Sequence, residues 1–438
     1  MLLNILLPPM IIVIGGFFLV KLKSFYLLHP IKTMRYALSG SDTGHSLGSL
    51  MLALAGTLGV GNIVGVTVGL AIGGAGSVLW LTLSALFSCA IKYAEVMLSC
   101  TSGKGDGMIG VIESDFGRAG KPLSRIYAAL CLILSLSMGC LLQASAIKGA
   151  AEVWGKIDTG AIVLPLTAVA AFICIKGKGK VRRAVAVMIP IATICYTGMC
   201  LLTIIPNFSR LPEVISLILT SALSPRSLAG GLGGFIIKSG MKEGFARGLL
   251  SNEAGAGTSS FSHSSTHSDK ACRAGCFGII EVFFDTLFLC PLTAFAVLLS
   301  CEGDEYVHDA HILSKIFCEY VGEGADIAFL LCVSAFALST VLCWYYYGEV
   351  CREKLFGSRM RWAYLSLYVG TFTLGLLYGS ESSIFFTDTV LLFLSIITLL
   401  TLIKKSGGVY PPPKEELYKV KHKRIKKITQ AREYEKEA

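Results

Sequence analysis

Eleven stretches of this chain run for about 20 residues with almost no charge. Nothing constrains its fold more, because an apolar run of that length matches the hydrocarbon thickness of a bilayer. The runs lie near 2–20, 47–72, 77–99, 124–148, 160–175, 184–205, 214–238, 273–300, 326–349, 362–378 and 384–403. Lipid offers backbone N–H and C=O groups no partner, so each run must satisfy them internally, as a helix does. The expectation is an all-α polytopic membrane protein of about 11 transmembrane helices. Composition agrees: 53% of the residues are apolar, 16% are charged and mean hydropathy is +0.66, values foreign to soluble globular chains. The first run has no basic leader and no small-residue cleavage pattern, so it reads as a retained span and not a signal peptide.

Lys and Arg mark the cytoplasmic loops. The segments KLKSFYLLHPIKTMR, KGKGKVRR (176–183), KEGFAR and CREKLFGSRMR fall on one side, while loop 301–326 sets seven acids against the single base Lys315. With eleven spans this places the amino terminus outside and the basic tail 404–438 inside a cell membrane. The net charge of +10 therefore reports topology and contact with the lipid bilayer, and nucleic acid is not expected as a partner.

Fifteen cysteines are scattered through the spans without CxxC pairs or matching histidines. That argues against a structural metal site, although Cys301 and Cys318 share one outer loop and could be bridged. No GxxxxGK[ST] loop is present to cradle a nucleotide, which argues against an ATP-driven pump. Neither an organic cofactor nor a catalytic centre is expected; two carboxylates, Glu281 and Asp285, sit one turn apart but no nucleophile or metal cluster accompanies them.

The stretch AGTLGVGNIVG (55–65) is the most informative. Gly61, Gly65, Gly69 and Gly73 recur every four residues and line one helix face, which close helix packing explains without function. Gly56 and Gly59 fall off that face, and Gly59 with Gly61 brackets Val60 just before the lone amide of Asn62. Glycine loses the most entropy on becoming helical, so this pattern predicts a break in mid-span. A break there exposes backbone groups that only a cavity or a polar ligand can satisfy. A second interruption is expected in SALSPRSLAGGLGGF (221–235), where Pro225 removes a donor and Gly230 and Gly231 begin a glycine cluster. Two broken helices, each first in a set of five, suggest an inverted-repeat secondary transporter. The expected units are an extra helix over 1–21, a first repeat over 47–206, a second over 213–403, and the tail.

AGTLGVGNIVG, GSVLWLTLSALFSCAIKYAE (76–95), GFARGLLSNEAGAG (244–257), DTLFLCPLTA (285–294) and FALSTVLCWYYYGE (336–349) follow one another in an order that resembles the alanine/glycine:cation symporter family, from about residue 20 to 405. The resemblance implies a five-plus-five inverted repeat of the amino acid–polyamine–organocation superfamily, and import of a small neutral amino acid coupled to sodium. It nominates Thr57, Gly59, Val60, Gly61, Gln143, Gly230, Gly231 and Trp344 for the substrate, with the Val60 and Gly61 amides facing its carboxylate. Ala55, Leu58, Asn62, Phe336, Ser339 and Thr340 are nominated for sodium, and no other metal is implied. Ser251, Asn252 and Glu253 are expected in an inner gate on the cytoplasmic side.

Several readings stay open at this level. Gln143 serves either the substrate or an interhelical hydrogen bond; Trp344 either closes the pocket or anchors at the interface. Asp285 points inward either to a structural partner or to a coupling ion. The chain departs from the family at Leu223, where an aromatic is expected, in the polar run 258–268, and in the last helix. Proton coupling, altered specificity and a cation channel are the competing functions, with a membrane enzyme behind them, and the oligomeric state is left open.

Overall fold

Helices occupy the apolar runs. The structure, a computed structural model, describes residues 2–39, 43–102, 105–155, 159–223, 244, 247–248, 251–264, 270–301, 312–379 and 384–417, and no strand occurs among them. In order, α1 is Leu2–Lys21, α2 Pro30–Leu38, α3 Thr43–Thr57, α4 Val64–Gly73, α5 Ser77–Thr101, α6 Met108–Asp115, α7 Gly120–Leu136, α8 Leu142–Trp154, α9 Thr159–Ile175 and α10 Lys178–Ile204. There follow α11 Leu211–Leu223, α12 Ala271–Val282, α13 Cys290–Ser300, α14 Ile312–Val321, α15 Ala325–Phe356, α16 Arg361–Tyr378 and α17 Ile384–Lys404. Single π-helical turns, Ser137–Leu141 and Phe283–Leu289, join α7 to α8 and α12 to α13. Among the described residues six helices are long and apolar enough to cross a membrane, and the pair α3–α4, bent by 57°, adds a seventh.

The expected run 214–238 fares differently. Helix α11 is described as far as Leu223, which is half-exposed, and the interruption at Pro225, Gly230 and Gly231 lies outside the described residues, as do residues 302–311 of the acidic loop. Further on, the chain packs along α5. Gly244 abuts Ser77, Trp80 and Leu81 at the start of α5, Gly248 abuts Ser84, Ser259 meets Lys92, and the Cys100 thiol reaches the His263 carbonyl at 3.4 Å. Segment 244–264 therefore runs the length of α5 in the same direction. It runs opposite to α4, since Gly69 sits against Arg247 and Gly61 against Ser251.

This segment is helical at 244, 247–248 and 251–252, unwinds from Glu253, and becomes helical again over Ser260–His263. Glu253, Gly255 and Gly257 all have positive φ (53°, 90° and 77°), a region glycine enters freely and glutamate only under constraint. The sequence SNEAGAG (251–257) is thus the unwound centre of a segment that lies along α5. Its polar residues are buried and paired. Lys92 and Glu281, both inaccessible, form an ion pair at 3.0 Å, and the Ser259 hydroxyl bonds both. Glu95 accepts the N–H groups of Gly255 (2.7 Å) and Gly257 (3.2 Å).

No disulfide joins Cys301 and Cys318. Residues 406–417 lie back across the end of α5. Tyr93 Oη donates to the Tyr410 carbonyl (2.7 Å) and Tyr36 Oη, on α2, to Glu416 (2.9 Å), while Val409 and Leu417 are buried.

Candidate functional site

The first break is where the glycines predict it. The Gly59 amide turns to the Thr57 carbonyl (2.7 Å) instead of to Ala55 four residues back, and Gly59 itself is extended. Val60–Asn62 form one 3-10 turn before α4 resumes. As a result, neither the Ala55 nor the Leu58 carbonyl accepts a hydrogen bond among the described residues. Two acceptors are left over in the centre of a span, as the break requires.

A cavity of about 480 Å³ opens on this break. Thr57, Gly59, Val60, Gly61 and Gln143 line it, together with Arg247, Ser251 and Glu253 from the second interrupted segment. Gln143 Oε1 accepts the Val60 N–H at a long 3.4 Å, and its Nε2 donates to Met138. Met138 belongs to the π turn, which offsets α8 from α7 and carries Gln143 toward the break; such turns favour functional positions. A Cβ on Gly59 would stand 2.9 Å from Thr340 Oγ1 and 3.0 Å from Gln143 Oε1. Glycine is needed there for close approach.

The residues nominated for sodium separate into two groups. Thr340 reaches Gly59 at the break, and Ser339 and Thr340 both donate to the Phe336 carbonyl (2.7 and 3.0 Å). A hydroxyl that gives its proton away keeps its lone pairs for a cation. The two hydroxyls and the unpartnered Ala55 and Leu58 carbonyls are each neutral oxygens, the donor type that a hard monovalent ion prefers. The Phe336 carbonyl, already accepting twice, is the least available of the nominated oxygens.

Asn62 belongs to the other group. Its Nδ2 donates to Asp285 Oδ1 (2.8 Å) and to the Asp285 carbonyl (2.9 Å), and its Oδ1 accepts from Ser251 (3.3 Å). Ser251 and Thr286 donate to Asp285 Oδ2 (2.9 and 2.6 Å), and Asn252 donates to Thr286. Ser251 and Asn252, expected in a gate, therefore knit the second segment to the first break. Asp285, on the π turn Phe283–Leu289, thus places its carboxyl group beside Asn62.

Trp344 is not in the cavity wall. It is fully buried with its ring against Gly139, where a Cβ would come within 2.2 Å, and its Nε1 has no partner among the described residues. Gly230 and Gly231 lie outside the described residues. Conversely, Arg247, Thr387 and Asp388 line the cavity without having been nominated. Arg247 and Asp388 were visible as charges beside apolar runs, but nothing local says which cavity they face. Among the described residues no group of histidine, cysteine and carboxylate side chains has metal-binding geometry.

With the geometry in place, comparison with known proteins adds independent information. The profile of the Sodium:alanine symporter family matches residues 1–428. An "Uncharacterized transporter YflA" of Bacillus subtilis is 29% identical, over 92% of this chain and 90% of that protein. The "Sodium/alanine symporter AgcS" of Methanococcus maripaludis is 29% identical, over 90% of each. Among solved structures, the manganese transporter of Eremococcus coleocola aligns with a TM-score of 0.53 at 14% identity, covering 84% of this chain and 78% of that one. That likeness concerns the fold alone.

Proposed function

This chain belongs to the sodium:alanine symporter family, a family of transporters, and on that premise we propose that it imports a small neutral amino acid, alanine or glycine, in symport with sodium by alternating access. The observation that carries this reading is the break at 58–63, which leaves two carbonyls unpartnered beside Thr340 and fronts a cavity with the Val60–Asn62 turn. The amino end of a helical turn favours a carboxylate, and unwound carbonyls favour a cation. In this reading the Val60 and Gly61 amides take the substrate carboxylate, the long Gln143 contact giving way to it. Sodium takes the Ala55 and Leu58 carbonyls with the Ser339 and Thr340 hydroxyls. The opposite directions of the two interrupted segments support the five-plus-five inverted repeat.

A second reading, proton coupling, is favoured by one observation: the Asp285 carboxylate 2.8 Å from Asn62. Uptake of labelled alanine or glycine into liposomes, with sodium and proton gradients imposed separately, decides between them. Sodium-driven uptake is the expected result, and uptake that ignores sodium but follows protons overturns it. In the same assay Thr340→Val, which removes a hydroxyl at nearly constant size, is expected to raise the sodium concentration for half-maximal uptake well before it weakens substrate binding at saturating sodium. Unchanged sodium dependence in both Thr340→Val and Ser339→Ala places the ion elsewhere.

The basic loops support an orientation with the amino terminus outside and the tail in the cytoplasm. A cysteine at Gly179, in the first turn of α10, is then expected to resist an impermeant thiol reagent in intact cells. One at Tyr306, in the acidic loop, is expected to react in a background lacking Cys301 and Cys318. The reverse pattern inverts the topology.

A further inference from the structure

A second cavity, of about 470 Å³, shares no residue with the one at the helix break. It lies where α9 gives way to α10 and α15 to α16. Its wall includes Lys178 and Arg361, the first residues of α10 and α16, with Tyr345, Glu349, Arg352 and Glu353 of α15. Segments 176–183 and 352–361 carry nine lysines and arginines against one glutamate. Topology alone accounts for that excess, but not for how these side chains are paired.

The carboxylates of this cavity are already committed. Glu349 accepts two hydrogen bonds from Arg352 (2.8 and 2.9 Å), and Glu353 accepts one from Lys178 (2.6 Å). Arg352 Nη1 donates to the Gly357 and Arg359 carbonyls (2.6 and 2.7 Å), so this guanidinium is spent within the wall. Arg361 differs. It makes one long bond, to the Ile175 carbonyl (3.3 Å), lies over the Trp362 ring, and meets no carboxylate among the described residues. Neither α10 nor α16 has a side-chain cap, and the N–H groups of Lys178, Gly179, Arg361 and Trp362 have no partner among the described residues.

Tyr345 is the independent sign that something is missing. It is only 1% exposed, and its ring is held against those of Tyr364 and Tyr368, yet it lines the cavity. Its hydroxyl has no hydrogen-bond partner among the described residues, a costly state for a buried polar group. A guanidinium, a phenol and two uncapped helix starts are all donors. Together they want an anion.

The surroundings identify its source. Phe172 and Ile175 on the last turn of α9 and Trp362 on the first turn of α16 are exposed, with Lys176 over the Phe172 ring. Leu164 and Leu367 extend that exposed apolar surface along the two helices. Aromatic and basic residues at the end of an apolar face mark the membrane interface, and basic pockets between helices on the cytoplasmic side suit acidic headgroups. We propose that this cavity binds the phosphate of an anionic phospholipid in the leaflet beside the basic loops, with Arg361 and the Tyr345 hydroxyl as its donors and the acyl chains along α9 and α16. The site depends on neither sodium coupling nor the central cavity.

The test is native mass spectrometry of delipidated full-length protein in detergent, titrated with phosphatidylglycerol or phosphatidylcholine. Wild type is compared with Arg361→Gln, Tyr345→Phe and Arg125→Gln, the last removing an equal charge from an exposed position outside the cavity. Wild type is expected to bind one phosphatidylglycerol roughly tenfold tighter than phosphatidylcholine. Arg361→Gln is expected to lose about tenfold in that affinity and Tyr345→Phe about threefold, with Arg125→Gln unchanged.

Equal affinity for the two lipids overturns the proposal. So does an equal loss in Arg361→Gln and Arg125→Gln, which would reduce the attraction to diffuse surface charge. Inorganic phosphate at millimolar concentration that displaces the lipid, and binds in an Arg361-dependent way, would make this a free-anion site and overturn the lipid assignment. A second copy of the chain that covers this face and excludes lipid would do the same. Tyr345→Phe removes a hydroxyl that no described protein group uses, so it decides the matter if Arg361→Gln fails to fold, and undiminished affinity there counts against the site.

Discussion

Gly61→Leu is expected to abolish substrate binding in a protein that still folds. The nearest atom to a Cβ at this position is Ser251 Cα at 3.9 Å, an ordinary contact, so the backbone need not move. Gly61 lines the cavity, and the rest of a leucine side chain fills the space in front of the Val60–Asn62 turn. A carboxylate kept from that turn loses two charge-assisted hydrogen bonds of about 1.5–3 kcal/mol each, which amounts to an affinity loss on the order of 100-fold or more. Gly59 makes the contrast. Its Cβ would already press on Thr340 and Gln143, so Gly59→Leu is expected to damage the fold together with the site. Equilibrium binding of labelled alanine and a melting curve on the same preparation separate the two effects, and undiminished affinity in Gly61→Leu removes the break from the binding site.

Lys92→Met is expected to have the largest effect on stability. The change strips the ammonium from Glu281 in a region with no access to water, and breaking a buried pair in this way costs about 3–5 kcal/mol. That is a large part of what typically holds a folded protein together. Ser259 would also lose one of its two partners, freeing the segment it anchors. Lys92→Met/Glu281→Gln removes the orphaned charge and keeps an acceptor for Ser259, so it is expected to recover much of the loss. Thermal unfolding of the two variants beside wild type checks this: a single variant as stable as wild type would mean that water or another cation reaches Glu281.

What could be read in the sequence was what is local. Apolar length fixed the helices, and the off-face glycines around Val60 marked the first break within a residue or two, because a strained backbone must be written in the residues that adopt it. While the interruption expected in 221–235 lies outside the described residues, the one at Glu253, which carries Gly255 and Gly257, was not read as a break. The reason is physical. A span containing Ser251, Asn252, Glu253 and the polar run after it looks too wet for a membrane unless its partners are known, and Lys92, Glu95, Glu281 and Asp285 come from 22 to 167 residues away. The same distance hid the neighbourhood of Asn62 and Asp285, 223 positions apart. The π turns that present Gln143 and Asp285 have no composition of their own. The last helix, read as a departure from the family, contributes Thr398, whose hydroxyl donates to the Ala256 carbonyl.

The strap formed by residues 406–417 sets an order of events during synthesis. Tyr36 finds Glu416 across 380 positions, and Tyr93 waits almost as long for the Tyr410 carbonyl. At about 5–20 residues per second, a ribosome needs roughly 20–75 s to deliver that partner. Throughout that interval α2 and the end of α5 are already made while their cover is not. The surface that residues 406–417 will occupy is therefore available to insertion factors and proteases for most of the life of the nascent chain, and the strap's arrival is what ends that exposure.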